Sequence, residues 1–219
     1  MTEKFETPSS NQGNASNNDP PKYEAKLARV KEIDWTNVAV TRGGIILYTD
    51  KGVIMGIDAK YEDLTDFGGS IEYNNSANDR KKKKITDLNC LTGSCREFYE
   101  ETLGVFGRLD PLSLEDAPVV MSTGDTMDEM LIIMVRADIR WDRSYMLFNE
   151  RRRDCLEDGK STEMKKIVRL SYADFDALIA GETVIFKGRE KDHEHSHKMY
   201  EVIRNLLKDA MDKGLKDIL

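Results

Sequence analysis

The sequence predicts an α+β fold, or a mixed-sheet sandwich, in which strands lead and helices intervene irregularly. Three stretches carry that expectation. "MLIIMVRAD" (Met130–Asp138) is apolar at both odd and even positions, as a strand buried on both faces must be. "SYADFDALIAG" opens on a serine N-cap and closes on Gly181, the pattern of a capped helix. "HKMYEVIRNLLKDAMDKGL" repeats apolar residues at helical spacing, with Met199, Val202, Ile203, Leu206 and Leu207 along one stripe. At 219 residues, 39% apolar and 33% charged, the chain suffices for one domain with a full core.

In chain order, residues 1–21 are rich in Ser, Asn and Pro and are expected to form a disordered tail, because they cannot bury enough apolar surface to offset the entropy of ordering. A single domain is expected over 22–219. "VAVTRGGIILYT" (Val38–Thr49) predicts a strand pair, or one long strand with a bulge at Gly43–Gly44. "TDKG" turns the chain into a second strand, "VIMGIDAK" (Val53–Lys60). "DFGGSIEY" (Asp66–Tyr73) reads as a short strand interrupted by its double glycine. Residues 74–91 form a polar insert containing "RKKKK", read as a surface loop. "TGSCREFYEETLGVF" predicts a helix capped by Thr92 or Ser94 and ended near Gly104. "PVVMST" and "MKKIVRL" read as strands, "SYMLFNERRRDCLED" as a helix, and a helical C-terminal extension is expected from about 193.

Composition excludes some functions. A formal net charge of −7 argues against sequence-blind binding of double-stranded DNA, which needs a positive face, while leaving room for a local basic groove. No apolar run approaches the length that crosses a bilayer, and the N-terminus lacks the apolar core of a secretory signal, so no membrane partner is expected. Cys90, Cys95 and Cys155 are odd in number and form no C-x-x-C pair, which predicts reduced thiols and a cytoplasmic location.

The densest charge lies in "CREFYEETLG" (Cys95–Gly104). On a helix, Glu97, Glu100 and Glu101 share one face, and like charges at that spacing repel. Something positive must compensate. Magnesium takes carboxylates together with substrate phosphates, so a triple-Glu face suits it; the plainer alternative is a solvated acidic face. Upstream, the double glycine Gly68–Gly69 would let backbone approach a metal or ligand closely, with Glu72 just beyond it. Arg96 can hold a neighbouring carboxylate in a bidentate contact.

This combination resembles the Nudix hydrolase family, whose box runs G-x5-E-x7-R-E-U-x-E-E-x-G-U with U a bulky apolar residue. Gly69 looks like the opening glycine, and Arg96, Glu97, Phe98, Glu100 and Glu101 fill R-E-U-x-E-E position by position. The departures are Leu88 where the first box glutamate should stand, with Asp87 the nearest acid, a stretched spacing from Gly69, and Gly104 one residue late. The resemblance implies a Nudix-like α/β/α sandwich with a mixed β-sheet and extra C-terminal helices. It implies a hydrolase that uses Mg2+ or Mn2+ to cleave a diphosphate linkage in a nucleoside diphosphate derivative. Carried over, the metal set is Glu97, Glu100, Glu101 and the Gly68 carbonyl, and the catalytic set is Glu100, Arg96 and a later general base, Glu163, with Glu157 as competitor. Substrate contacts are expected at Gly69, Glu72, Lys82 and Lys83.

The basic run Arg80–Lys84 beside such a site could grip capped RNA, and Nudix proteins of large DNA viruses carry similar elaborations, so messenger RNA decapping in a host cytoplasm is one expectation. A solubilising loop is the plainer reading of the run. A module that binds nucleotide, RNA or a protein partner without turnover is the alternative function. "ERRRD" (Glu150–Asp154) is a second basic cluster, His193, His195 and His197 read as solvated polar residues, and Trp35, Tyr48, Phe67 and Trp141 are candidates either for base stacking or for core and edge packing.

Overall fold

The computed structural model describes residues 24–38, 40–72, 87–122, 129–185 and 196–219. The tail 1–21, Lys82, Lys83, His193 and His195 lie outside the described residues. The architecture is mixed α+β. Eight strands form one sheet: β1 (Ala25–Arg29), β2 (Arg42–Thr49), β3 (Gly52–Asp58), β4 (Leu64–Thr65), β5 (Phe67–Ser70), β6 (Pro118–Ser122), β7 (Met130–Arg136) and β8 (Met164–Leu170). The helices are α1 (Cys90–Glu101), α2 (Trp141–Glu157), α3 (Tyr172–Ala180) and α4 (Glu201–Asp212). A small separate ribbon pairs β9 (Val184–Ile185) with β10 (Ser196–His197). No helix among the described residues is long and apolar enough to cross a membrane.

β7 runs parallel to β2 in unbroken register from Arg42↔Met130 to Tyr48↔Arg136, and β6 covers its other edge. Alternation then sorts the side chains. Met130, Ile132 and Met134 join Ile46, Val53 and Met55 in one core, closed by Phe175 and Leu178 of α3 and Ile203, Leu206 and Leu207 of α4. Leu131, Ile133 and Val135 join Ile45, Leu47 and Ile54 in a second core, closed by Phe98 of α1 and Phe148 of α2. Helices therefore cover both faces, and the continuous apolar reading of β7 follows from burial on both sides.

The feature that positions the site is a fork. β2 and β3 form a hairpin only at Leu47–Thr49 against Gly52–Ile54, then splay. β4 pairs with β3 at Gly56↔Thr65 and Ile57↔Leu64, whereas β5 pairs with β2 from Arg42↔Ser70 to Ile45↔Phe67. One extended stretch thus crosses the gap, and Asp66 sits in the crotch between its two halves, fully buried.

Several expected boundaries differ. β2 is a single strand with no bulge at Gly43–Gly44, and its start moves from Val38 to Arg42, because parallel pairing with β7 holds the glycines in the ladder. β5 runs through Gly68–Gly69 without interruption, each paired to a glycine of β2. Of the insert expected over 74–91, residues 74–86 lie outside the described residues, and its end differs from expectation: α1 starts at Cys90, because Asn89 rather than Thr92 or Ser94 caps it, accepting from the Thr92 N–H at 3.0 Å. The extension expected from about 193 becomes helical only at Glu201. Before it, Met199 is extended beside Leu64, with the Leu64 N–H donating to Lys198 O at 2.8 Å and the Tyr200 N–H to Leu64 O at 2.8 Å. β1 was not anticipated as a strand; it pairs with β6 along Ala25–Arg29. Phe67 is a core residue, Trp35 donates to Val30 O at 2.9 Å, and His197 Nδ1 lies 2.8 Å from Glu62 O.

Candidate functional site

α1 lies across β2 and β5, and aromatic packing fixes it there. Phe98 of α1 meets Phe67 of β5 edge-on, centroids 5.8 Å apart, and stacks with Phe106 at 6.0 Å. The buried face of α1 carries Cys95, Phe98 and Glu101, which leaves Glu97 half-buried and Glu100 exposed at its border. Burial pushes the Cys95 thiol up to about 12, so it is an inert thiol.

Arg96 organises the mouth of the site. Its Nε and Nη2 donate to the two oxygens of Asp87 at 2.9 Å each, a bidentate pair. Nη1 donates to Glu97 Oε1 at 2.8 Å and to Glu100 Oε2 at 3.2 Å, and Nη2 reaches Ser70 O at 3.1 Å. Asp87 is itself tied to the end of the β5 segment: its N–H donates to Glu72 O at 2.7 Å and its Oδ2 accepts from the Glu72 N–H at 2.8 Å. The acid beside Leu88 therefore holds the arginine, while Leu88 is 86% exposed.

Deeper in, Glu101 is 7% exposed, and its Oε2 has no hydrogen-bond partner. Burial first, then the charges of Asp66 and Glu163, push its carboxyl up to about 10, against the opposing pull of Arg42 and the Gly68 N–H. Burial also raises Glu97, despite Arg96, and Glu100 and Glu163 add to the rise. Glu163, exposed just before β8, thus bears electrostatically on both glutamates. Its carbonyl accepts from the Ala59 N–H at 2.7 Å, and the carbonyl of the next residue, Met164, accepts from Arg152 Nε at 3.1 Å. Glu157, its competitor, is exposed at the end of α2 and lies 3.9 Å from Arg153. The "ERRRD" cluster accordingly does structural work at two points, since Arg151 donates to Leu103 O at 2.6 Å.

Gly69 is where Glu97 rests. A Cβ there would lie 2.7 Å from Glu97 Cδ and closer still to its Oε2, so the carboxylate occupies the space a side chain would take. The Gly68 carbonyl accepts from Arg42 Nη2 at 2.9 Å. Of the expected residues, Arg96, Glu97, Glu100, Glu101, Gly68, Gly69 and Glu163 come together around the α1–β5 contact; Glu72 contributes backbone to Asp87. As the side chains lie, no group of three or more His, Cys, Asp or Glu among the described residues has metal-holding geometry. Arg96 draws Glu97 and Glu100 aside and Arg42 draws Asp66. The orphaned, buried Glu101 Oε2 nonetheless fits a cation, which would offset the charges of Asp66 and Glu163 that otherwise favour the protonated acid.

Sequence reasoning missed Arg42 and Asp66. The available signal was the pair of double glycines, Gly43–Gly44 and Gly68–Gly69, which face one another in register, each adjoined by charge or by a lone acid in apolar surroundings. Two surface cavities bear on the site's surroundings. One of about 500 Å³ adjoins Arg96 and Glu100, with Tyr99 and Arg108 in its wall. The larger, about 630 Å³ around Lys51, Trp141 and Arg169, lies by the β2–β3 turn, away from the glutamates. No model of a known protein family matches the chain, and no curated protein matches it.

Proposed function

We propose that the chain is a Nudix-type pyrophosphohydrolase, dependent on Mg2+ or Mn2+, that cleaves a diphosphate linkage in a nucleoside diphosphate derivative, with capped RNA the long substrate to test first. The observation that carries the reading is Glu101: a buried carboxylate with an unsatisfied oxygen, set beside Glu97 and Glu163 above a double-glycine strand. A helix bearing R-E-F-Y-E-E on a forked mixed sheet, with helices on both faces, supports a Nudix-like α/β/α sandwich. Asp87 answers the departure at Leu88, because it holds Arg96 from one position earlier.

Glu97, Glu100 and Glu101 would hold the cation, with the Gly68 carbonyl beside them. A bound divalent ion lowers the pKa of its water and neutralises charge on the phosphate oxygens. Arg96 keeps Glu97 and Glu100 oriented, and Glu163, exposed just before β8, would accept the proton of the attacking water. The ion pairs that close Glu97 and Glu100 onto Arg96 favour a second reading, a module that binds nucleotide, RNA or a protein partner without turnover.

Incubation with Mg2+ or Mn2+ and a panel of capped RNA, free cap analogue, nucleotide sugars and dinucleoside polyphosphates separates these. Release of m7GDP from capped RNA, or turnover of a small nucleotide, both abolished by EDTA, is the expected result. Binding with no turnover across the panel would establish the module instead.

Gly69→Ala gives a sharper check. Gly69 needs no positive φ, and the added methyl would meet only the mobile end of Glu97. Stability should change by no more than about 0.5 kcal/mol. Activity should fall roughly 10- to 100-fold, as when a ligand's orientation is lost. Wild-type turnover by this variant would remove Glu97 from the metal set.

A further inference from the structure

The fork in the sheet holds a buried ion pair that touches the carboxylate site through Gly68. We propose that Arg42 and Asp66 are positioning residues of that site, a two-pronged pair that fixes the Gly68 peptide and, through Gly69 beside it, the seat of Glu97. The inference rests on the reading of Glu97 and Glu101 as holders of a divalent cation.

Asp66 is fully buried, and both of its oxygens are engaged. Arg42 Nη1 donates to Oδ2 at 2.8 Å, Arg42 Nη2 to Oδ1 at 2.7 Å, and Thr65 Oγ1 to Oδ1 at 2.9 Å. A pair of this kind, with both carboxylate oxygens served, could be explained by stability alone. The third bond of Arg42 is what such a role does not need. Nη2 also donates to Gly68 O at 2.9 Å, so one guanidinium nitrogen spans a carboxylate and the peptide carbonyl two residues on. Gly68 carries no side chain to steer its peptide, and the next residue, Gly69, is where the Glu97 carboxylate rests, 2.7 Å from the position a Cβ would take. The double glycine therefore links Arg42 to Glu97.

Arginine is required rather than any cation. Its planar fork serves Asp66 and Gly68 together, whereas a lysine ammonium is a single point charge on a flexible stem. Gly44 makes the arrangement possible, since it leaves Asp66 room to lie flat against β2.

The test is a Mn2+ titration of the full chain by calorimetry, with Tm measured in EDTA. Three proteins are compared: wild type, Arg42→Lys, and the double variant Arg42→Met with Asp66→Asn. The double variant leaves no unpaired ion in the crotch, and replacing both partners of a buried pair is commonly tolerated. Both variants should bind Mn2+ roughly 10- to 100-fold more weakly than wild type, the usual consequence of losing a group that orients ligands. That loss should appear in the double variant even where Arg42→Lys is too unstable to titrate. Wild-type Mn2+ affinity in the variants, whatever their Tm, overturns the positioning role alone. Failure of the wild-type protein to bind Mn2+ overturns the cation reading itself, and this inference with it.

Discussion

Glu101→Gln is expected to abolish hydrolysis while flattening the pH dependence of stability. The glutamate lies in the core-facing turn of α1 with one oxygen unserved, and its carboxyl is pushed up to about 10 from an ordinary value of 4.5. In the cation-free protein, the folded chain therefore keeps a proton that the unfolded chain releases. The stabilisation is complete below the unfolded value and is lost as pH rises toward the folded one. Between them the unfolded state binds fewer protons, so stability falls with pH, by at most about 1.4 kcal/mol for each unit. Gln cannot ionise, so in EDTA its Tm should hold steady from pH 5 to pH 9 relative to wild type, whose Tm should decline. The same variant should lose about 10³-fold in rate, equivalent to about 4 kcal/mol of lost charge stabilisation. Parallel Tm curves would show that Glu101 titrates normally and is no buried acid; undiminished turnover would show that it holds nothing needed for reaction.

Gly44→Ala should cost the most stability. A Cβ at Gly44 would stand 2.8 Å from Asp66 Cγ and 3.0 Å from the Gly68 Cα, and closer still to Asp66 Oδ2. None of these can yield cheaply. Asp66 is pinned by Arg42 and Thr65, and Gly68 is locked in the β2–β5 ladder. Breaking the buried pair or bending the ladder should cost about 3–5 kcal/mol, which lowers Tm by roughly 10 °C in a chain of this size. The contrast with Gly69→Ala is the informative part, because there the methyl displaces only a side-chain end. Equal Tm losses in the two variants would mean that the fork is more pliant than its hydrogen bonds imply.

The sheet strands with unbroken apolar patterns were readable in advance. β7 and β8 fall within a residue or two of expectation, and α3 has the predicted Ser171 cap and left-handed Gly181 at φ 97°. What failed was local reading of glycine. Gly43–Gly44 and Gly68–Gly69 look like interruptions in isolation, but they are in-register partners that let Asp66 and Glu97 lie on the sheet. β1 escaped because its alternation is weak, with only Ala25 buried in the strand, and its pairing with β6 is long-range. At the site, Arg96 and the glutamates were legible because helix periodicity alone brings them together. Arg42 and Asp66 were not, because strand crossing at the fork, and not any spacing along the chain, makes them neighbours. Asp87 was visible as the nearest acid, yet only the bridge to Glu72 shows why one position earlier suffices.

The strand-like run at 198–200 has a consequence for biosynthesis. It zips along Leu64, while Asp209 of α4 and Lys213 just after it grip the backbone of Ala25 at 2.6 and 2.7 Å. Segments far apart in the sequence thus depend on each other, and α4 supplies a large share of one core. During translation, the nascent chain would emerge with β1 and β4 both lacking their final cover. Maturation of the fork must then wait until α4 has been made and can dock, a contact of long sequence separation that closes slowly.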